Sequence, residues 1–301
     1  MRNQTQEYYE KLTRLSNRSD THALLEQLDA RIALGRAGAQ PHLMRANLLR
    51  RCGDLRSARA AFVDHLNAVG AEDVLEAFDP EAVIPPGLRS PGNHVISPIL
   101  VIDDFLPVDE MNALHRHACD LEPQFFDART FSETAVYDPA KRRTLVNPQF
   151  TYKRQYFLDF LDANLERFQR ALGLPKFKVD RVEIKLTNHI EGGFFKPHAD
   201  NHGPVASAGR AITWLYYFAQ VPVRFTGGEL SVLDTDLGRQ EISPSWFTKV
   251  AAIPNRLVVF PSWFYHAVGP THLAEHHFAG GRFAVSSHVR KLADTSHWAT
   301  P

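Results

Sequence analysis

The sequence predicts an α+β protein: a two-sheet jelly roll with flanking helices and an α-helical N-terminal region. Two observations carry this. Apolar residues recur at helical spacing in two long runs of the first part of the chain, between Thr21 and Gly70. From Lys176 onward the texture changes to short runs rich in β-branched and aromatic residues, separated by Gly, Pro and Asn, as in an antiparallel sandwich or barrel. The 301 residues, 44% hydrophobic and 23% charged, permit a full core. We therefore expect a helical region over 1–90 and a jelly-roll domain over 91–301.

In chain order, "THALLEQLDARIALGRAG" carries leucines and isoleucine at helical spacing and ends among glycines. "PHLMRANLLRRCGDLRSARAAFVDHLNAVG" reads as two amphipathic helices joined at Gly53-Asp54. The order Ala46, Gly53, Ala58, Phe62 resembles one tetratricopeptide unit, which suits either a helical cap packed on the main domain or part of a partner-binding groove. "DPEAVIPPGLRSPGNH" reads as a linker. "SPILVIDDFLPVDEMNALHRHACDL" reads as a buried strand and then a helix from about Pro107. "PQFFDARTFSETAVYDPAKRRTLVN" is polar and irregular, a surface loop or one folded over a site. "QYFLDFLDANLERFQRALGL" is an amphipathic helix ending at Gly173. Six strand-like runs follow: "FKVDRVEIKLTNH", "AITWLYYFAQV", "GGELSVLDT", "FTKVAAIP", "RLVVFPS" and "GRFAVSSHVR". A jelly roll accommodates this many strands without intervening helices.

Lys plus Arg and Asp plus Glu number 34 each, which removes the electrostatic reason for nucleic acid or an anionic membrane as the main partner. The only cysteines, Cys52 and Cys119, fall in separate helical segments, so neither a disulfide framework nor a thiolate cluster is expected. The N-terminus shows no apolar signal-peptide core, and no apolar run is long enough to span a bilayer. A cytoplasmic setting is the expectation.

The chemistry is carried by "EGGFFKPHADN". On a strand, His198 and Asp200 would share one face, with Ala199 turned away. "RLVVFPSWFYHAVGP" adds His266 beyond a buried strand, and "GGRFAVSSHVR" places Arg282 at the start of another. Two imidazoles and one carboxylate form the facial set of non-haem Fe(II) sites, leaving open positions for other ligands. An arginine nearby suits the remote carboxylate of a chelating 2-oxo diacid, because the guanidinium stays charged and pairs in two-pronged fashion.

These segments, with "GRAITWLYYF", "GGELSVLDT" and "PILVIDDFLPVDEMNAL", occur in one order. The stretch from about Ser97 to Arg290 resembles the prolyl-4-hydroxylase-like branch of the 2-oxoglutarate/Fe(II) oxygenases. The resemblance implies a double-stranded β-helix core, with His198, Asp200 and His266 as iron ligands and Arg282 binding the co-substrate. It also implies Fe(II), 2-oxoglutarate and O2 as cofactor and co-substrates, and hydroxylation of an unactivated C–H bond. Asp200 favours hydroxylation over halogenation, since halogenating relatives lack the carboxylate. The substrate would be a peptide, a protein, an amino acid, a carrier-bound intermediate or a small natural product.

Two departures stand out. Many relatives place a tyrosine before the H-x-D pair; "KLTNHIEGG" has none, and Tyr217 is the substitute. The interval from His266 to Arg282 is long, which makes Arg290 a rival anchor. His272, His276 and His277 fit a second metal site or, as we expect, a solvated loop. Asn201 and His202 would touch substrate or make the turn, and Gly227-Gly228 would allow a tight turn. Trp214, Tyr216 and Phe218 alternate with Leu215 and Tyr217, so one of the two sets faces the interior. Arg129, Arg142 and Arg143 would meet an acidic substrate if their segment covers the mouth. The alternative function is a protein-interaction module with a non-catalytic jelly roll; a hydrolytic metal site is a third reading.

Overall fold

Alternation along the strand Arg210–Phe218 decides the layering. Trp214, Tyr216 and Phe218 join a cluster with Phe157, Leu161 and Phe168 of the helix Arg154–Ala171 and with Met111 and Leu114 of the helix Val108–Asp120. Leu215 and Tyr217 take the other face and join a cluster that includes Leu230, Val232 and Val268 of a second sheet. One strand thus separates a helical layer from the space between two sheets. This computed structural model describes residue 14 and residues 18–34, 38–131, 135–202, 205–239 and 241–292. The polar opening stretch, residues 1–13, lies outside them.

The larger sheet has eight strands, in the order Ala82–Ile84, Ile99–Ile102, Arg256–Pro261, Arg210–Phe218, Arg282–Lys291, Val179–His189, Leu145–Asn147 and Phe126–Asp127. The five-stranded sheet runs Glu241–Val250, Leu230–Asp236, His266–Val268, Phe194–His198 and Arg142–Arg143. Their strand pairs are antiparallel, and the two sheets form the predicted jelly roll. Two segments differ from expectation. The Pro/Gly-rich stretch read as a linker contributes the edge strand Ala82–Ile84, ahead of residue 91. The segment read as irregular supplies Arg142–Arg143 to the small sheet and Leu145–Asn147 to the large one. Strands of two or three residues are too short to show a period.

The N-terminal helices Ala39–Cys52 and Leu55–Val69 meet at the expected turn. Gly53, at φ +83°, ends the first helix, and its N–H donates to the Arg50 carbonyl at 3.1 Å. The Asp54 side chain then accepts from the Ser57 amide at 3.2 Å and starts the next helix. Ala46 and Ala58, both fully buried, allow close approach of the pair. These helices share a core with Val83, Ile84, Ile99 and Val250. Arg50 crosses into the small sheet: Nη1 donates to Asp234 Oδ1 at 2.7 Å and to Thr248 Oγ1 at 3.1 Å, and Nη2 binds Asp234 Oδ2. Both partners are 0% exposed. Among the described residues, no helix is long and apolar enough to cross a membrane.

Removing one partner of a buried ion pair leaves an uncompensated charge, at a cost of about 3–5 kcal/mol. Arg50→Met should destabilise the chain by about that amount in denaturant titration, and Arg50→Met with Asp234→Leu should recover most of the loss. Equal stability of Arg50→Met and the parent chain would show that the pair does not fasten the helices.

Candidate metal centre

The strand Phe194–His198 pairs with His266–Val268 in a register that sets His198 opposite His266. Opposed residues of an antiparallel pair project to one face, and the two imidazole centroids lie 4.2 Å apart. The strand ends at His198, so Asp200 is not on it, contrary to the alternation argument; it sits in the following turn. Two backbone bonds aim it. Its N–H donates to the Ser262 carbonyl at 2.9 Å, and Arg210 Nη1 donates to its own carbonyl at 3.0 Å. His198 Nε2 then lies 3.6 Å from Asp200 Oδ1 and His266 Nε2 lies 3.4 Å from Oδ2. One ligand atom from each of the three falls within 4.8 Å of the others.

The tautomers suit a metal. Nδ1 of His198 donates to the Lys196 carbonyl at 2.8 Å, and Nδ1 of His266 to the Phe264 carbonyl at 3.0 Å. Both Nε2 lone pairs are thereby left toward the carboxylate. Burial, then His266, holds the His198 pKa well below the ordinary imidazole value, so the ring is neutral. Burial opposes ionisation of Asp200, but His288, His266, His198 and the Thr213 hydroxyl together hold its pKa below the usual range. Thr213 Oγ1 donates to Asp200 Oδ2 at 2.7 Å, and His288 Nδ1 approaches the same oxygen at 3.6 Å. Phe195 stacks on His198 with centroids 3.5 Å apart, and Phe260 meets His266 edge-on at 5.0 Å.

Arg282 lies between the sheets, 2% exposed. Its guanidinium carbon sits 4.6 Å from the centroid of the Tyr217 ring. Nη1 donates to Nδ1 of His189 at 3.2 Å, which makes Nε2 of His189 the N–H that donates to Thr144 Oγ1 at 3.0 Å. Nε and Nη2 of Arg282, the Tyr217 hydroxyl and Thr271 Oγ1 are buried without a well-formed hydrogen bond. Gly228 makes the room: at φ +68°, a Cβ there would stand 2.6 Å from Arg282 Cδ and 2.8 Å from Thr271 Oγ1. Orphaned donors around a buried guanidinium fit a carboxylate, as two imidazoles and a carboxylate fit Fe(II). Arg290 lies roughly 26 Å further along the same strand at 3.3 Å per residue, ion-paired with Asp180 and Glu183.

Arg142 turns inward, its guanidinium 4.4 Å from the Phe195 ring centroid, whereas Arg129 and Arg143 are exposed. His272 and His276 are exposed beside Glu191, at 3.4 and 3.8 Å. Asn201 and His202 make the turn after the strand. Sequence reasoning missed His189, Thr213, Thr271 and His288. Period-2 counting from Arg282 would have put Ser286 and His288 on its face. His189, at the end of its strand, stands opposite Arg282 in the register.

Residues 184–290 match the model of the 2OG-Fe(II) oxygenase superfamily. A curated relative, an uncharacterized PKHD-type hydroxylase of Synechocystis sp., is 28% identical over 191 residues, which cover 63% of this chain and 62% of that protein. The match thus spans less than two thirds of the relative's length. A prolyl-4-hydroxylase structure from Pseudomonas putida is 18% identical, covering 65% of this chain and 93% of that one, with a TM-score of 0.46. A prolyl hydroxylase from Trichoplax adhaerens, solved with a hypoxia inducible factor peptide fragment, is 17% identical, covering 64% and 83%, with a TM-score of 0.47. The segment that carries this site is thus similar to the 2OG-Fe(II) oxygenase superfamily, whose chemistry uses Fe(II), 2-oxoglutarate and O2.

Proposed function

We propose that this chain is a 2-oxoglutarate- and Fe(II)-dependent dioxygenase that hydroxylates an unactivated C–H bond of a peptide, amino-acid or small natural-product substrate. One observation carries the reading. His198, Asp200 and His266 converge with both Nε2 lone pairs free, in the same inter-sheet space as an incompletely bonded Arg282. A non-catalytic jelly roll used for partner binding would leave these buried, unsatisfied groups without a purpose. A hydrolytic metal site would have no use for Arg282. A cytoplasmic setting belongs to the same proposal.

His198, Asp200 and His266 would hold Fe(II), which with 2-oxoglutarate supplies dioxygen-dependent C–H oxidation when bound. Arg282, Tyr217 and Thr271 would receive the remote carboxylate of 2-oxoglutarate. The aromatic walls Phe195 and Phe260 hold the imidazole planes and exclude water. Thr213 keeps one Asp200 oxygen oriented. His189 stays neutral: burial, then Arg282 and Arg142, press its pKa well down, so Nδ1 remains an acceptor for Arg282.

His198→Ala and His266→Ala should each abolish stoichiometric Fe(II) binding and substrate-dependent succinate formation; turnover retained in either would refute the ligand assignment. Arg282→Ala should raise the KM for 2-oxoglutarate about 10- to 100-fold, and Tyr217→Phe about 2- to 10-fold. Equal loss in Arg290→Ala would move the anchor there.

The folded His189 pKa lies below its unfolded value of about 6.5, so the unfolded chain binds the extra proton. Its stabilising contribution is complete above that pH and is lost as pH falls below it, by at most about 1.4 kcal/mol per pH unit. Denaturation of the metal-free chain between pH 7.5 and 5.5 should show this slope added to those of the similarly depressed His198, His288 and His115, and His189→Gln should reduce the total by the share of His189. An unchanged slope would mean that His189 titrates alike in both states.

A further inference from the structure

The space between the sheets holds more positive charge than the proposed chemistry uses. Arg282 is assigned to the co-substrate. Arg210 is neutralised by Glu183, bound through Nη2 and through Nε at 3.1 Å. Arg290 pairs with Asp180 and Glu183. Arg142 and Lys185 remain, and neither makes an ion pair or side-chain hydrogen bond among the described residues.

Both stand beside the metal triad. Arg142 is opposite Phe195 in the small sheet, with its guanidinium on that ring and the ring on His198, so one aromatic layer separates it from the ligand. Its Nε is buried without a partner. Lys185 is opposite Ser286 in the large sheet. With Ser286 and His288 it lines a cleft of about 530 Å³, and His288 is the residue that reaches Asp200. The two cations are close enough to feel each other and Asp200. Burial, then Arg142 and Arg210, lowers the Lys185 pKa to about 8.

A partly buried cation without a counter-charge is costly, and two side by side more so. The fold gives Arg210 and Arg290 direct ion pairs but gives this pair none. The acids they feel are Asp200, whose charge a metal would claim, and Glu183, which already pairs with Arg210, so the missing anion comes with a ligand. Resting on the dioxygenase reading above, we propose that Arg142 and Lys185 bind a carboxylate of the substrate that is hydroxylated at the metal centre. Arg142 and the triad do not line this cleft; it opens beside them at Lys185 and His288, and its size suits a small molecule or one terminal residue. The substrate is then a carboxylate-bearing amino acid or acid-ended molecule, not the neutral interior of a peptide. The first carboxylate of 2-oxoglutarate offers the same chemistry, and the test separates the two sources.

Protein loaded with Mn(II) and N-oxalylglycine, an isostere of 2-oxoglutarate, is titrated calorimetrically with the proteinogenic amino acids and their N-acetyl derivatives, each as acid and as carboxamide. At least one acid should bind about tenfold or more tightly than its carboxamide. Lys185→Met and Arg142→Met should each erase that preference while holding N-oxalylglycine affinity within about twofold, the range left when no charged hydrogen bond is lost. Retained N-oxalylglycine binding also shows that each variant is folded. No acid preferred over its amide, or a preference that survives both variants, overturns the proposal. Variants that weaken N-oxalylglycine and not the acids assign the cations to the co-substrate and overturn it equally. Failure of the parent protein to take up Mn(II) and N-oxalylglycine is visible before any acid is added, and defeats the underlying dioxygenase reading itself.

Discussion

A backbone register holds the site together. His198 faces His266 because Phe194–His198 and His266–Val268 are hydrogen-bonded in one alignment. A slip of one residue would turn an imidazole to the opposite face. Several contacts fix that alignment. On the other edge of His266–Val268, His266 pairs with Val232 and Val268 with Leu230, and these apolar partners are buried in the inter-sheet cluster. Ser262, at the start of the loop leading to His266, donates its N–H to the Ala211 carbonyl at 3.1 Å and accepts from the Asp200 amide at 2.9 Å. The turn bearing the carboxylate and the loop bearing the second imidazole are therefore tied by a backbone bond, independent of any metal.

Charge is arranged around this register with equal economy. Both imidazoles are aimed by carbonyls, and burial keeps His198 neutral, whereas Asp200 is kept ionised with the help of the Thr213 hydroxyl. Arg282 is steadied by one bond to a neutral histidine and a stacked tyrosine, which leaves part of its donor fork unused. Gly228 is required at its turn because any side chain would occupy the arginine's place. Further along the interior, Glu183 quenches Arg210 and contributes to quenching Arg290, so the unbalanced positive charge is confined to the neighbourhood of the triad.

Much of this was legible before any coordinates. His198, Asp200, His266 and Arg282 could be picked out because the chemistry restricts residue type and because each closes or opens a strand-like run. Tyr217 could be placed by alternation alone once one face of its strand was known to meet helices. Other features are written in no local pattern. Arg50 and Asp234 are 184 positions apart, and nothing near either residue announces the other. His189 serves Arg282 through a pairing between distant strands. Arg142 points inward because its two-residue strand joins a sheet edge, which periodicity cannot see. Asp200 reaches the two imidazoles from a turn, so the simple alternation argument brought it to the cluster by the wrong geometry.

The central claim is that both Nε2 atoms and one Asp200 oxygen meet on a single divalent ion. Anomalous diffraction from anaerobically grown crystals containing Mn(II) tests it most directly. The account predicts one strong peak per chain at bonding distance from His198 Nε2, His266 Nε2 and an Asp200 carboxylate oxygen, with positions left open toward the space that holds Arg282. A peak bonded elsewhere, or to only one of the two imidazoles, would contradict it.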